Sequence, residues 1–154
     1  MNGAFLHLSI NHLPVIGAPV ALLLLAAGLL RKSRDLIQAG FIALVVVGAV
    51  FYPVMRTGGK AAGLVHNLPG IEGKQIHEHA EAADDYGLWP AIILGVLSLV
   101  GLWKSNQSFP TSLVAIALIG ALYLSAVMAR VAHLGGLIRH PEIESTFVSP
   151  APPK

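Results

Sequence analysis

Seven histidines and no cysteine bound the chemistry open to this 154-residue chain. Without thiols there are no disulfides, thiolate-held metals, iron–sulfur clusters or covalently attached c-type haem, so imidazole is the leading ligand type. His12 stands in Asn11-His12-Leu13-Pro14 at the mouth of an apolar run, and His79 in His77-Glu78-His79-Ala80-Glu81. His133 lies in Arg130-Val131-Ala132-His133-Leu134-Gly135-Gly136, where the glycine pair permits close approach of backbone to a flat cofactor or to another helix. Neutral imidazoles projecting from helices into an apolar slot suit a b-type haem, whose propionates need cations nearby. Arg130, one turn from His133, and Arg56, closing another apolar run, are the cations expected to pair with them.

A second chemistry lies in the stretch from His77 to Asp85. His77 and Glu81 share an i, i+4 helical face, and His77, His79 and Glu81 together offer imidazole and carboxylate to zinc or another divalent ion. The spacing is not H-E-x-x-H, so a zinc protease has little support. Each candidate also has a structural reading. His12 and His133 serve equally as interfacial or capping residues, Arg130 as a snorkelling arginine, the His77–Asp85 stretch as a solvated helix start, and His66 and His140 as surface residues. Phosphate-binding glycine loops, a nucleophile elbow, a Ser-His-Asp arrangement and intramembrane charge runs are all missing.

The elements that must position these residues are membrane spans. Mean hydropathy is +0.70, with 55% hydrophobic and only 12% charged residues, a balance that a soluble domain of this size cannot hide from water. Four runs, 13–30, 36–55, 86–103 and 109–129, approach the length needed to cross hydrocarbon, and backbone in lipid must satisfy itself within the segment. The expected fold is an all-α, four-transmembrane-helix bundle over residues 1–145, followed by an extended proline-rich tail, 146–154. Pro19, Pro53 and Pro90 are expected to kink or start helices, and Gly17 with Ala21 and Ala117 with Ala121 to bring helices close. Basic residues are scattered without a long run, which argues against nucleic acid.

Four spans put both termini on one side. The cluster Arg31, Lys32, Arg34 directly after the first run, and Lys104 after the third, favour a cytoplasmic side for the short turns and periplasmic termini. A raw count opposes this, six basic residues against four, but the connection from about Arg56 to Asp85 is long and rich in acids. On this topology all seven histidines fall on one face, an enrichment tempered by the longer connections there. The first run lacks a positive leading region and is not read as a cleaved signal peptide.

The end motifs, His7-x-x-x-x-His12-x-Pro14 before an apolar helix and Leu134-Gly135-Gly136-x-x-x-His140 after the last one, resemble terminal signatures of small bacterial four-helix membrane domains of unknown function. The resemblance covers the two ends and the helix count, and departs from the pattern in placing His133 before the glycine pair and Pro141 after His140. It implies a four-helix fold and a redox role with haem, and supplies no substrate.

These readings converge on a non-catalytic electron-transfer subunit in a bacterial inner membrane. It would work within a larger respiratory or photosynthetic assembly, with other membrane subunits, a quinone or a periplasmic cytochrome as partners. Two alternatives stand beside it: a structural or assembly subunit without cofactor, and a metal-binding or sensing protein.

Overall fold

A computed structural model describes residues 3–66, 68, 70–104 and 109–140. The expected tail, 146–154, the domain boundary at 145 and most of the turn after Lys104 lie outside the described residues. All regular structure among the described residues is helical: α1 (Gly3–Ile10), α2 (His12–Arg31), α3 (Arg34–Val65), α4 (Gly73–Ala83), a single π-helical turn (Asp84–Leu88), α5 (Trp89–Lys104) and α6 (Thr111–Arg139). Asn11 keeps helical backbone angles and donates to the His7 carbonyl at 2.9 Å, so α1 and α2 form one nearly continuous rod. The π turn likewise joins α4 to α5.

The molecule is therefore four rods of 29, 32, 32 and 29 residues, each apolar enough to cross a membrane. The chain is a multi-pass membrane protein. At 1.5 Å per residue the rods are about 43–48 Å long, some 15 Å more than a hydrocarbon core of roughly 30 Å requires. The surplus lies at one end. Arg31, Arg34 and Lys104 sit at the helix termini of the other end, whereas α3 runs ten residues past Met55 and α6 ten residues past Ala129. All seven histidines, the start of α1 and the end of α6 belong to the extended end, called the histidine end below.

The long connection expected from Arg56 to Asp85 is thus mostly helix. The α3 helix continues through Thr57 and Gly58 to Val65, and α4 begins at Gly73, leaving a short turn between them. Tertiary packing overrides the two glycines here, because Gly58 lies under the His7 ring, 3.3 Å from a would-be Cβ to Cε1. The helical lead-in read into His77–Asp85 is present as α4 and the π turn.

Local chemistry sets the opposite end. Lys32 adopts left-handed backbone (φ 51°) and Ser33 donates to the Gly28 carbonyl at 2.9 Å, a Schellman stop for α2. The Ser33 hydroxyl then accepts from Leu36 N–H at 3.4 Å, capping α3. Pro19 and Pro53 lie within helices and Pro90 at the second position of α5.

Small residues permit the close crossings, as expected. Ala21, Ala117 and Ala121 are buried together between α2 and α6, and Gly17 abuts Val47. The α3–α5 crossing is closest at Gly48 and Gly95, where a Cβ on Gly48 would stand 2.7 Å from the Ala91 carbonyl oxygen.

Candidate functional site

The histidine end has an apolar floor. Gly87, on the π turn, meets both Phe51 of α3 and Met128 of α6, since a Cβ there would lie 2.6 Å from Phe51 Cζ and 3.1 Å from Met128 Cε. Phe51 and Met128 are almost fully buried, at 2% and 1% exposure. The two helices α3 and α6 run in the same direction, so residues equally far beyond this layer share a level. Val54 is three residues beyond Phe51 and Val131 three beyond Met128.

Each of these two valines offers its backbone carbonyl to a histidine. His7 Nδ1, from α1, lies 3.1 Å from the Val54 oxygen, and His79 Nδ1, from α4, lies 2.9 Å from the Val131 oxygen. A carbonyl only accepts, so Nδ1 carries a proton in both rings, and in the neutral form Nε2 holds the lone pair. Thr57 does not compete for this role. Its hydroxyl is 3.5 Å from His7 Nδ1 but only 2.8 and 2.9 Å from the Pro53 and Val54 carbonyls, to which its single proton goes. Both rings are half-buried.

Both histidines have a polar neighbour one turn along. Asn11 follows His7 by four residues and Gln75 precedes His79 by four, and the side-chain oxygens of both amides are buried without a hydrogen-bond partner. Buried amide oxygens ordinarily find a donor, water or cation. The two amides flank the histidine level, Asn11 one turn deeper and Gln75 one turn nearer the end of the bundle, because α1 and α4 both run inward from that end.

The other residues marked by the sequence are placed differently. His12, five residues from His7, is exposed, as is His133. His77 and Glu81 pair on the outside of α4 at 4.0 Å, with side chains 78% and 54% exposed, while His79 turns inward to α6. His77, His79 and Glu81 thus do not gather, and among the described residues no group of three or more His, Cys, Asp or Glu could hold a metal ion. Arg56 is exposed on α3. Arg130 is also exposed, and lines a groove on the outside of the α4–α6 seam rather than the space between His7 and His79.

Of the three imidazoles singled out from sequence, only His79 enters the interior, and its partner there is His7. The signal for His7 is the polar i, i+4 pair His7–Asn11, repeated as Gln75–His79; it is obscured when the first helix is started at Leu13. The glycine pair after His133 does allow a close approach, but what Gly135 admits is the His79 ring.

Fold and site together define a four-helix membrane bundle with a histidine-bearing end. No family model, curated protein or solved structure matches the chain, so the resemblance of its terminal motifs rests on those residues alone.

Proposed function

We propose that this chain is a membrane-embedded electron-transfer subunit that holds b-type haem at its histidine end through His7 and His79. The observation that carries the reading is the matched pair of Nδ1–carbonyl bonds at one level of the bundle. Histidines that ligate metal nearly always donate their second ring N–H to a carbonyl, carboxylate or water, which fixes tautomer and ring orientation. Both rings meet that condition, and they come from rods on different sides of the interior above an apolar floor.

Haem held by two imidazoles supplies one-electron transfer with no open iron position for oxygen. The chain's own part is to orient. Val54 and Val131 set the rings, Gly58 and Gly135 let them lie against α3 and α6, and Phe51 and Met128 keep the floor dry. Also proposed are periplasmic termini in a bacterial inner membrane, a quinone or periplasmic cytochrome as redox partner, and a larger membrane assembly; the basic residues at the short-turn end support the orientation.

A second reading is a bare divalent ion on the imidazole Nε2 of His7 or His79, favoured by the unpartnered amide oxygen one turn from each ring, Asn11 on the deeper side and Gln75 on the outer side. Reduced-minus-oxidised spectra of the chain purified from haem-replete membranes separate the two. Soret and α-band changes at one haem per chain are expected. Their absence with stoichiometric zinc, copper or iron selects the bare ion, and absence of both leaves a cofactor-free assembly subunit.

A further inference from the structure

On the outside of the seam between α4 and α6 lies an open groove of about 260 Å³, lined by Ala82, Tyr86, Tyr123, Ala126, Val127 and Arg130. Its floor is low because Ala82 and Ala126 carry only a methyl group. Tyr86 belongs to the π turn, and the Tyr123 hydroxyl donates to the Tyr86 carbonyl at 3.2 Å, tying the two walls together across the seam. That bond occupies the one phenolic proton of Tyr123. The Tyr86 hydroxyl and the Arg130 guanidinium are then the side-chain donors remaining at the groove; Arg130 carries the charge, and no carboxylate of the described residues lies within ion-pair distance of it. Asp84 and Asp85, earlier on the π turn, are not among the lining residues.

The position of the groove along the bundle decides what reaches it. Tyr86 opens the apolar run 86–103 and Arg130 directly follows the apolar run 109–129, so both stand where hydrocarbon gives way to the polar extension. Tyrosine and arginine at that depth meet lipid headgroups, with acyl chains on one side and phosphates on the other.

We propose that this groove binds an anionic phospholipid, with an acyl chain laid over Ala82, Ala126 and Val127 and the phosphate on Arg130. The groove gives the chain a methyl-lined bed, and the unpaired guanidinium gives the headgroup its charge complement. The site is distinct from any cofactor site at His7 and His79, since Tyr86, Tyr123, Ala126 and Arg130 are exposed on the outside of the bundle and only Ala82 and Val127, at the bottom of the groove, also touch the core. It also assigns Arg130 to lipid rather than to a haem propionate.

The test is native mass spectrometry of the full chain released from nanodiscs made with equal phosphatidylglycerol and phosphatidylcholine. One phosphatidylglycerol retained per chain, preferred roughly fivefold, is the expected result for a single basic contact at the membrane surface. Arg130→Gln should remove the preference, Ala126→Trp should remove retention of either lipid, and Arg139→Gln, an exposed arginine at the same end, should leave the wild-type pattern. A circular dichroism melt confirms that each variant is folded before it is scored. Equal retention of both lipids by the wild type, a preference that survives Arg130→Gln, or one lost equally in Arg139→Gln would overturn the proposal. So would displacement of the lipid by a neutral quinone at equal concentration.

Discussion

The His79 imidazole lies against the backbone of Gly135, so closely that a Cβ added there would stand 3.1 Å from Cε1 and 3.2 Å from Nδ1. The same Nδ1 donates to the Val131 carbonyl one turn earlier on α6. Any side chain at position 135 therefore competes with the ring for its seat. Gly135→Val is expected to displace His79, at a cost of about 1–3 kcal/mol for overpacking, with the hydrogen bond to Val131 lost as well. Thermal unfolding in detergent reads the first effect. Haem retention reads the second, and should fall even at temperatures where the variant remains folded.

Two adjacent glycines on α3 make a sharper comparison. A Cβ on Gly58 would come 3.3 Å from His7 Cε1, whereas one on Gly59 meets nothing within 4 Å. Both positions are helical, and alanine is favoured over glycine in a helix by roughly 0.5–1 kcal/mol. Gly59→Ala should raise Tm. Gly58→Ala should gain less or lose stability, because the His7 ring must shift; equal gains at both positions would show that His7 does not rest on α3.

The α3–α5 crossing depends on Gly48. Gly48→Leu would drive a side chain into the Ala91 carbonyl and the Gly95 backbone, neither of which can rotate away. The expected loss is at least about 1–3 kcal/mol, read as a lower unfolding midpoint in detergent. A substitution at exposed Ile119 on α6, such as Ile119→Leu, should leave the midpoint unchanged.

The absence of native cysteine permits a direct test of topology. Single cysteines at Lys60, Lys74 and Arg139 belong to the histidine end, and those at Arg31 and Lys104 to the opposite end. An impermeant maleimide added to one side of oriented membranes should label the first three together and spare the other two. If the proposed orientation is right, the first three label from the periplasm.

The four spans are legible because uncharged runs of about twenty residues leave backbone in lipid no alternative to helix. Their ends are less legible. Hydropathy reports where lipid stops, and past that level α3 continues packed against α1 and α6 packed against α4. The connection through Gly58 and Gly59 looks like loop in sequence because glycine is a poor helix former, yet Gly58 is used to admit a ring from another rod. His7 was hidden for a related reason. Its role depends on which carbonyl of α3 lies opposite, a tertiary fact, whereas the bordering His12 and His133 stand out in sequence and lie on exposed faces. Arg130 had a basic side chain at the right depth, but its direction around α6 is set by the seam with α4.

The most direct measurement is the spectrum of the haem-loaded chain with single histidines replaced. The account predicts a six-coordinate, low-spin spectrum in the wild type. His7→Ala and His79→Ala should each convert it to a five-coordinate, high-spin form or lose haem, while His12→Ala and His133→Ala leave it intact. A low-spin spectrum that survives both His7→Ala and His79→Ala, and collapses on replacing His12 or His133, would contradict it.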